Sequence, residues 1–155
     1  MQSIFSKAFH LFAGLLLSFQ SFSQISKDQL NISQPHPRIL LYEQEEKQLI
    51  NSIQSDETWN MLHLAMLNEC ERLLSIEPVK RIQIGRRLLD KSREALRRIF
   101  MLSYAWRTTK DDRFFVRAEK ELLDISAFSD WNPSHFLDVA EMTMAAAIGY
   151  DWLYP

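Results

Sequence analysis

The sequence predicts an all-α fold of antiparallel helical hairpins, and three observations carry that expectation. Chain breakers are scarce: 3 glycines and 5 prolines among 155 residues leave long uninterrupted segments. Within those segments apolar residues recur at helical spacing. After Tyr42 no segment alternates polar and apolar residues over the length of a strand. Hydrophobic residues make up 46% and charged residues 25%, the balance of one folded globular domain of ordinary size.

Residues 1–23 stand apart from this pattern. Lys7 supplies a positive start, and Ala8 to Phe19 is an apolar run too short to span a bilayer. Ser21 and Ser23 are small residues placed for cleavage before Gln24. The segment reads as a secretory signal peptide, so the mature chain is expected to be periplasmic or secreted, with no membrane association after cleavage. Residues 24–42 then read as an extended lead-in, with two prolines flanking His36.

Helices are expected from there on. Glu43 to Gln54 places Leu49, Ile50 and Ile53 on one face, and Glu43, Glu45 and Glu46 suit its positive N-terminal end. Ser55 and Asp56 can cap a second helix reaching about Ser75, with Trp59, Leu62, Met66, Leu73 and Leu74 at helical spacing. Pro78 closes that unit. The longest helix is expected from Gln83 to about Trp106, with an apolar side that includes Leu88, Leu89, Ala95, Leu96, Ile99, Phe100 and Leu102. After a short link, Asp111 or Asp112 can cap a fourth helix through Phe114, Phe115, Ala118, Leu122 and Leu123 to about Ile125. A loop from Ser126 to Trp131 leads to Asn132-Pro133, which reads as the capped start of a last helix extending to about Leu153.

That last helix is unusual. From Thr143 to Tyr150 it has no charge, and apolar or small residues cover most of its circumference. A helix apolar all round is buried all round. Asp138 and Glu141 leave too little uninterrupted apolar length for a membrane span. Five helices supply too few neighbours to bury it, so the expectation is that residues 43–155 begin a larger helical domain whose remainder covers this helix.

Charge narrows the partners. Without residues 1–23 the chain holds 17 basic and 20 acidic residues, so neither sign dominates and nucleic acid is not an expected partner. The distribution is uneven: Arg72 to Lys120 has 14 basic and 6 acidic residues, whereas Glu121 to Pro155 has 6 acids and no base. A basic middle can attract a polyanion, or its helix faces can pair with the acidic flanks. Arg86, Arg87, Arg93, Arg97 and Arg98 are the candidates for such an anionic track. The single cysteine, Cys70, rules out an internal disulfide and reads as a buried thiol.

Candidate ligand contacts cluster at the entry to the last helix. Trp131 can stack on the ring of a ligand, and Asn132 and His135 can hydrogen-bond to hydroxyls or a carboxylate. Each also has a structural reading: packing for Trp131, helix capping for Asn132, a first-turn surface position for His135. His135, Asp138 and Glu141 step by three along one stripe, but no other residues converge as metal ligands, since the other mature histidines are His36 and His63. No metal or cofactor is therefore expected. A Gly-rich phosphate loop, a nucleophile elbow, a CxxC pair and an HExxH motif are all absent from the sequence.

Three stretches together point to a family. HPRILLYEQEE (His36 to Glu46), FMLSYAW (Phe100 to Trp106) and DVAEMTMAAAIGYDWLYP (Asp138 to Pro155) resemble the start of the heparinase II/III-like polysaccharide lyases of the Bacteroidetes type. The last stretch is the most specific, and the resemblance covers nearly the whole mature chain. It implies an incomplete (α/α) toroid of helical hairpins followed by β-sandwich domains. It also implies cleavage of uronic-acid polysaccharides, heparin/heparan sulfate-like or alginate-like, by β-elimination. The family's catalytic Asn or His, its Tyr and its second His map to no residue here. On that basis the chain is expected to be an N-terminal fragment, inactive alone, whose partners are the acidic polysaccharide and the C-terminal remainder of the same protein. The alternatives are a secreted non-catalytic helical carbohydrate-binding or scaffold module, or an (α/α)-toroid glycoside hydrolase.

Overall fold

The computed structural model describes residues 35–154. The signal peptide expected at 1–23 and most of the lead-in expected at 24–42 lie outside the described residues. Five helices follow one another: α1 Glu43–Ser55, α2 Glu57–Leu74, α3 Leu89–Thr109, α4 Asp112–Ser126 and α5 Phe136–Leu153. There is no strand among the described residues, so the protein is all-α, built of helical hairpins. No helix among them is long and apolar enough to cross a membrane.

The local chemistry of the helix ends follows the sequence at three junctions. Glu45 folds back to accept the Tyr42 N–H at 2.9 Å, closing the start of α1. Asp56 caps α2 by accepting the Trp59 N–H at 3.0 Å. Asp111 does the same for α4 through the Arg113 N–H at 3.0 Å. Lys110, at φ 58°, makes the left-handed turn between α3 and α4, and its N–H bonds to the Trp106 carbonyl at 2.7 Å.

Two helix starts differ from expectation. α3 begins at Leu89, not Gln83. Ile84 and Arg87 exchange backbone hydrogen bonds of 2.9 and 3.2 Å across a tight turn, with Gly85 at φ 61°. That turn uses the backbone groups a helix would need. α5 begins at Phe136, not at Asn132-Pro133, and its N-cap residue is His135. Asn132 sits at φ 58°, outside cap geometry, and its side-chain amide reaches away from α5's free N–H groups. The reason is tertiary: a buried carboxylate and a carbonyl from another segment both claim that amide.

α3 is the central helix, packed against α2, α4 and α5, while α1 pairs with α2. Cys70, Leu73, Leu102, Phe114 and Leu153 form one apolar cluster. Leu88, Ile99, Ile125 and Met142 form a second, and Leu41, Ile53, Tyr104, Ile148 and Trp152 a third. The α3–α5 approach is close enough to require a glycine. A Cβ on Gly149 would lie 2.7 Å from Ile99 Cγ2.

Buried carboxylates tie the non-helical segments to this core. Glu121, fully buried, accepts the Val79 N–H at 2.9 Å and also holds Arg98 and Arg117, each at 2.9 Å. Arg117 in turn bonds the carbonyls of Leu73 and Ile76 at the end of α2. Asp151 near the end of α5 binds the lead-in. It accepts the N–H groups of Arg38 and Ile39 at 2.7 and 2.9 Å and pairs with His36 Nδ1 at 2.6 Å. Trp152 adds a 2.8 Å bond from its indole N–H to the Ile39 carbonyl, and its ring packs on Phe100. Residues 36–42 thus form a strap over the aromatic end of α5. Trp152 and Leu153 are buried, covered by residues earlier in the chain.

α5 is nevertheless not buried on all sides. Among the described residues, Phe136, Thr143, Met144, Tyr150 and Tyr154 are exposed, Phe136 by 84% and Tyr150 by 62%. Phe136, Ala140, Thr143, Ala147, Tyr150 and Tyr154 are spaced alternately by four and three residues, which puts them on one face.

Candidate functional site

The corner between the α4–α5 loop and α5 is organised by Asp138. Its place in the first turn of α5 points it back toward the loop, where it is fully buried. Three donors converge on its carboxylate. The Leu88 N–H, at the start of α3, lies 2.7 Å from Oδ2. Asn132 Nδ2 lies 2.6 Å from the same oxygen, and His135 Nδ1 lies 2.7 Å from Oδ1. Burial pushes the Asp138 carboxyl up, but these hydrogen bonds outweigh it and hold it below the ordinary carboxylate range. It is ionised at neutral pH.

An ionised carboxylate only accepts hydrogen bonds. His135 Nδ1 is therefore the protonated nitrogen in this contact, which leaves the lone pair of a neutral imidazole on Nε2. Among the described residues Nε2 takes no hydrogen bond, and the His135 side chain is 28% exposed. Oriented in this way, it can accept a proton from a ligand hydroxyl, or, when protonated, donate to a carboxylate.

The other two residues singled out from sequence serve the corner in different ways. Asn132 is buried, and its side chain is fully engaged. Nδ2 donates to the Arg86 carbonyl at 2.8 Å as well as to Asp138, and Oδ1 accepts from Ser134 at 2.9 Å. Trp131 donates its indole N–H to the Ile125 carbonyl at 2.8 Å and packs, half-buried, beside Leu88, Ile125 and Met142. Asn132 and His135 thus share one carboxylate, while Trp131 faces the core. Of the three, His135 presents a free polar atom.

Sequence reasoning placed Asp138 on one stripe with His135 and Glu141 but gave it no role at the corner. A signal was available: His135 lies three residues before it and Asn132 six before, both short-range partners for one acid. Asp151 carried a plainer signal, as a lone charge in an otherwise uncharged helical run. Glu141 does not join the corner. It pairs with Arg93 at 3.0 Å, and no group of three His, Cys, Asp or Glu side chains among the described residues could hold a metal ion.

The basic face of α3 is largely spent on neighbours. Arg97 bonds Glu69 at 2.7 Å, and Arg98 is buried against Glu94, Glu121 and the Glu77 carbonyl. Glu69 is pulled down to about 2 by Arg72 and Arg97. Arg86 and Arg87 are exposed, in the turn before α3 and outside the helix. Between α3 and α5 lies a groove of about 340 Å³ with an apolar lining of Leu96, Phe100, Met144 and Ile148, together with Arg93 and Arg97. No family model and no curated protein sequence matches this chain.

Proposed function

We propose that this chain is the N-terminal helical part of an exported polysaccharide lyase that cleaves uronic-acid polysaccharides by β-elimination. One observation carries most of the support. The three stretches that resemble the heparinase II/III-like lyases meet at one place. The strap of residues 36–42, Phe100 and Tyr104 of α3, and Ile148, Asp151 and Trp152 of α5 are in mutual contact through Asp151 and one apolar cluster. Residues that meet in space form a unit, so the resemblance concerns an assembled piece of structure and not three scattered strings. The uncovered four–three face of α5 adds to the reading, because it suits a further helix packed alongside.

In the reaction a base removes the proton from C5 of the uronate, the C4–O bond breaks, and an acid protonates the departing oxygen. The products carry a new C4–C5 double bond. The difficult step is acidifying the C5 proton, which fixed positive charge and hydrogen bonds to the uronate carboxylate achieve. His135, oriented by Asp138, is assigned to hold a hydroxyl or carboxylate of the sugar, and Asn132 and Trp131 hold the corner in shape. The reacting groups belong to residues beyond this chain.

The test is to express the reading frame together with the DNA that follows codon 155. The product is incubated with heparan sulfate, heparin and alginate in turn. Ultraviolet-absorbing unsaturated oligosaccharides are the expected products, and His135→Ala should raise KM more than it lowers kcat. Cleavage without that absorbance would identify a glycoside hydrolase and overturn the lyase assignment, as would a stop codon with no continuation in any frame.

A further inference from the structure

We propose that the turn joining α2 to α3 docks on the anionic face of a phospholipid bilayer. Ile82 and Ile84 enter the interface, and Lys80, Arg86 and Arg87 meet the headgroups. Such docking goes beyond the lyase reading, which leaves the exported chain unattached, and it does not rest on that reading. The stretch from Lys80 to Arg87 holds four bases and no acid, with two isoleucines among them.

Both isoleucines stand in water: Ile82 is 52% and Ile84 67% exposed. Residues 82–87 are all exposed. Apart from its own chain neighbours, no described residue has an atom within 4 Å of the position a Cβ would take on Gly85, so the tip stands clear of the rest of the chain. A projecting tip suits a deformable surface that closes around it. The turn is also held in shape. Ile84 and Arg87 exchange backbone hydrogen bonds of 2.9 and 3.2 Å. At the base, Asn132 Nδ2 donates to the Arg86 carbonyl at 2.8 Å, and Asp138 accepts the Leu88 N–H at 2.7 Å. Arg81 grips Asp130 through Nη2 on the carboxylate at 2.7 Å and Nε on the carbonyl at 3.0 Å. Little ordering of the backbone is left for binding to impose.

The charges of the turn are uncommitted, unlike those of the helices. Every arginine of α3 and α4 pairs with a carboxylate. The side chains of Lys80, Arg86 and Arg87 are exposed and have no partner among the described residues. Asp130 is matched by Arg81, so these three bases set the sign of the tip. Each is worth about a fivefold gain in affinity at an anionic lipid surface. An isoleucine that enters the headgroup–acyl boundary adds the transfer of its side chain out of water. Either signal alone gives marginal, reversible attachment, and the two together hold more firmly. The isoleucines decide against a soluble polyanion as the partner. A polyanion gains from the bases but leaves Ile82 and Ile84 in water, whereas a bilayer satisfies both kinds of side chain.

The experiment is co-sedimentation of the 155-residue chain with vesicles, either of phosphatidylcholine alone or of phosphatidylcholine mixed with phosphatidylglycerol. The neutral vesicles give the baseline, which includes any binding by the apolar run Ala8 to Phe19. Binding to the anionic vesicles is expected to exceed that baseline and to fall toward it in high salt. The double variant Arg86→Gln, Arg87→Gln should weaken binding to anionic vesicles about thirtyfold, and Ile84→Ser about tenfold. Ile82→Ser lies outside the backbone bridge and should weaken binding as well, which separates lost insertion from an altered turn. All three variants change exposed side chains, and their circular dichroism melts should match the wild type. Equal binding to neutral and anionic vesicles, or wild-type binding by the arginine variant, would overturn the proposal. Loss in the arginine variant with wild-type binding in both isoleucine variants would also overturn it, and would assign the tip to a soluble polyanion.

Discussion

Replacing Asp138 by Asn removes one negative charge and keeps the shape of the side chain. The wild-type carboxylate takes three hydrogen bonds, from Leu88 N–H, Asn132 Nδ2 and His135 Nδ1, at 2.6 to 2.7 Å. Leu88 N–H and Asn132 Nδ2 share Oδ2, so an amide oxygen in that place keeps both, as contacts to a neutral acceptor, and its NH2 group then faces the His135 Nδ1–H. One hydrogen bond to a charged acceptor is lost, worth about 1.5–3 kcal/mol, and two weaken by about 1 kcal/mol each, so the variant is expected to lose about 3–5 kcal/mol. For a folded part of this size that is a fall in Tm of about 10–20 °C.

Far-UV circular dichroism melts at neutral pH measure the fall, and amide exchange at Leu88 shows whether its N–H has lost its partner. The folded-state pKa of Asp138 lies below its unfolded value. Its contribution is therefore complete above the unfolded value of about 3.9 and is lost as pH falls through the folded one. The wild-type and variant melts should accordingly begin to converge below about pH 4 and draw together further as pH falls through the lower folded-state value. A neutral-pH Tm within about 3 °C of wild type would refute the view that this carboxylate holds the corner.

Two further outcomes test the packing. Gly149→Ala sets its new Cβ 2.7 Å from Ile99 Cγ2 and 3.3 Å from Leu122 Cδ1. The overpacking cost of about 1–3 kcal/mol should exceed the helix-propensity gain of about 1 kcal/mol, giving a lower midpoint in urea unfolding. Cys70 is fully buried and its thiol is pushed up to about 12, chiefly by burial and then by Glu69 and Glu71. A thiol reagent at mildly alkaline pH should leave it unmodified in the folded chain and label it completely in denaturant, and rapid labelling of the folded chain would contradict its placement.

Much of the fold was legible because it rests on short-range rules. The end of α1, the Asp56 cap of α2 and the Asp111 cap of α4 each depend on residues within a turn of one another, and each lies where the sequence places it. The starts of α3 and α5 were misplaced for the opposite reason. Asn132-Pro133 has the local character of a helix start, yet Asn132 bonds Arg86, 46 residues earlier, and the Leu88 N–H bonds Asp138, 50 residues later. No window along the sequence contains those partners. The candidate site shows the same division. The sequence singled out His135, whose ring is part-exposed, but not Asp138, which orients it from a buried position.

The basic stretch illustrates the limit from another side. Its composition allowed either an anionic track or helix faces pairing with each other. Arg93, Arg97 and Arg98 pair with Glu141, Glu69 and Glu121, each on a different helix. Which opposite charges come close enough to pair is determined by packing and not by the composition of the stretch.

By itself the sequence determined the helical class, the order of the helices and the apolar character of α5, because helical periodicity and scarce glycine and proline act locally. The tertiary structure alone decided that His36, Arg38 and Ile39 strap the end of α5 to Asp151, that Asn132 serves a buried carboxylate instead of capping a helix, and that one face of α5 stays exposed. The strap and the Asn132 corner depend on groups far apart in the chain meeting at about 3 Å, where a buried acceptor must be satisfied and local preference gives way.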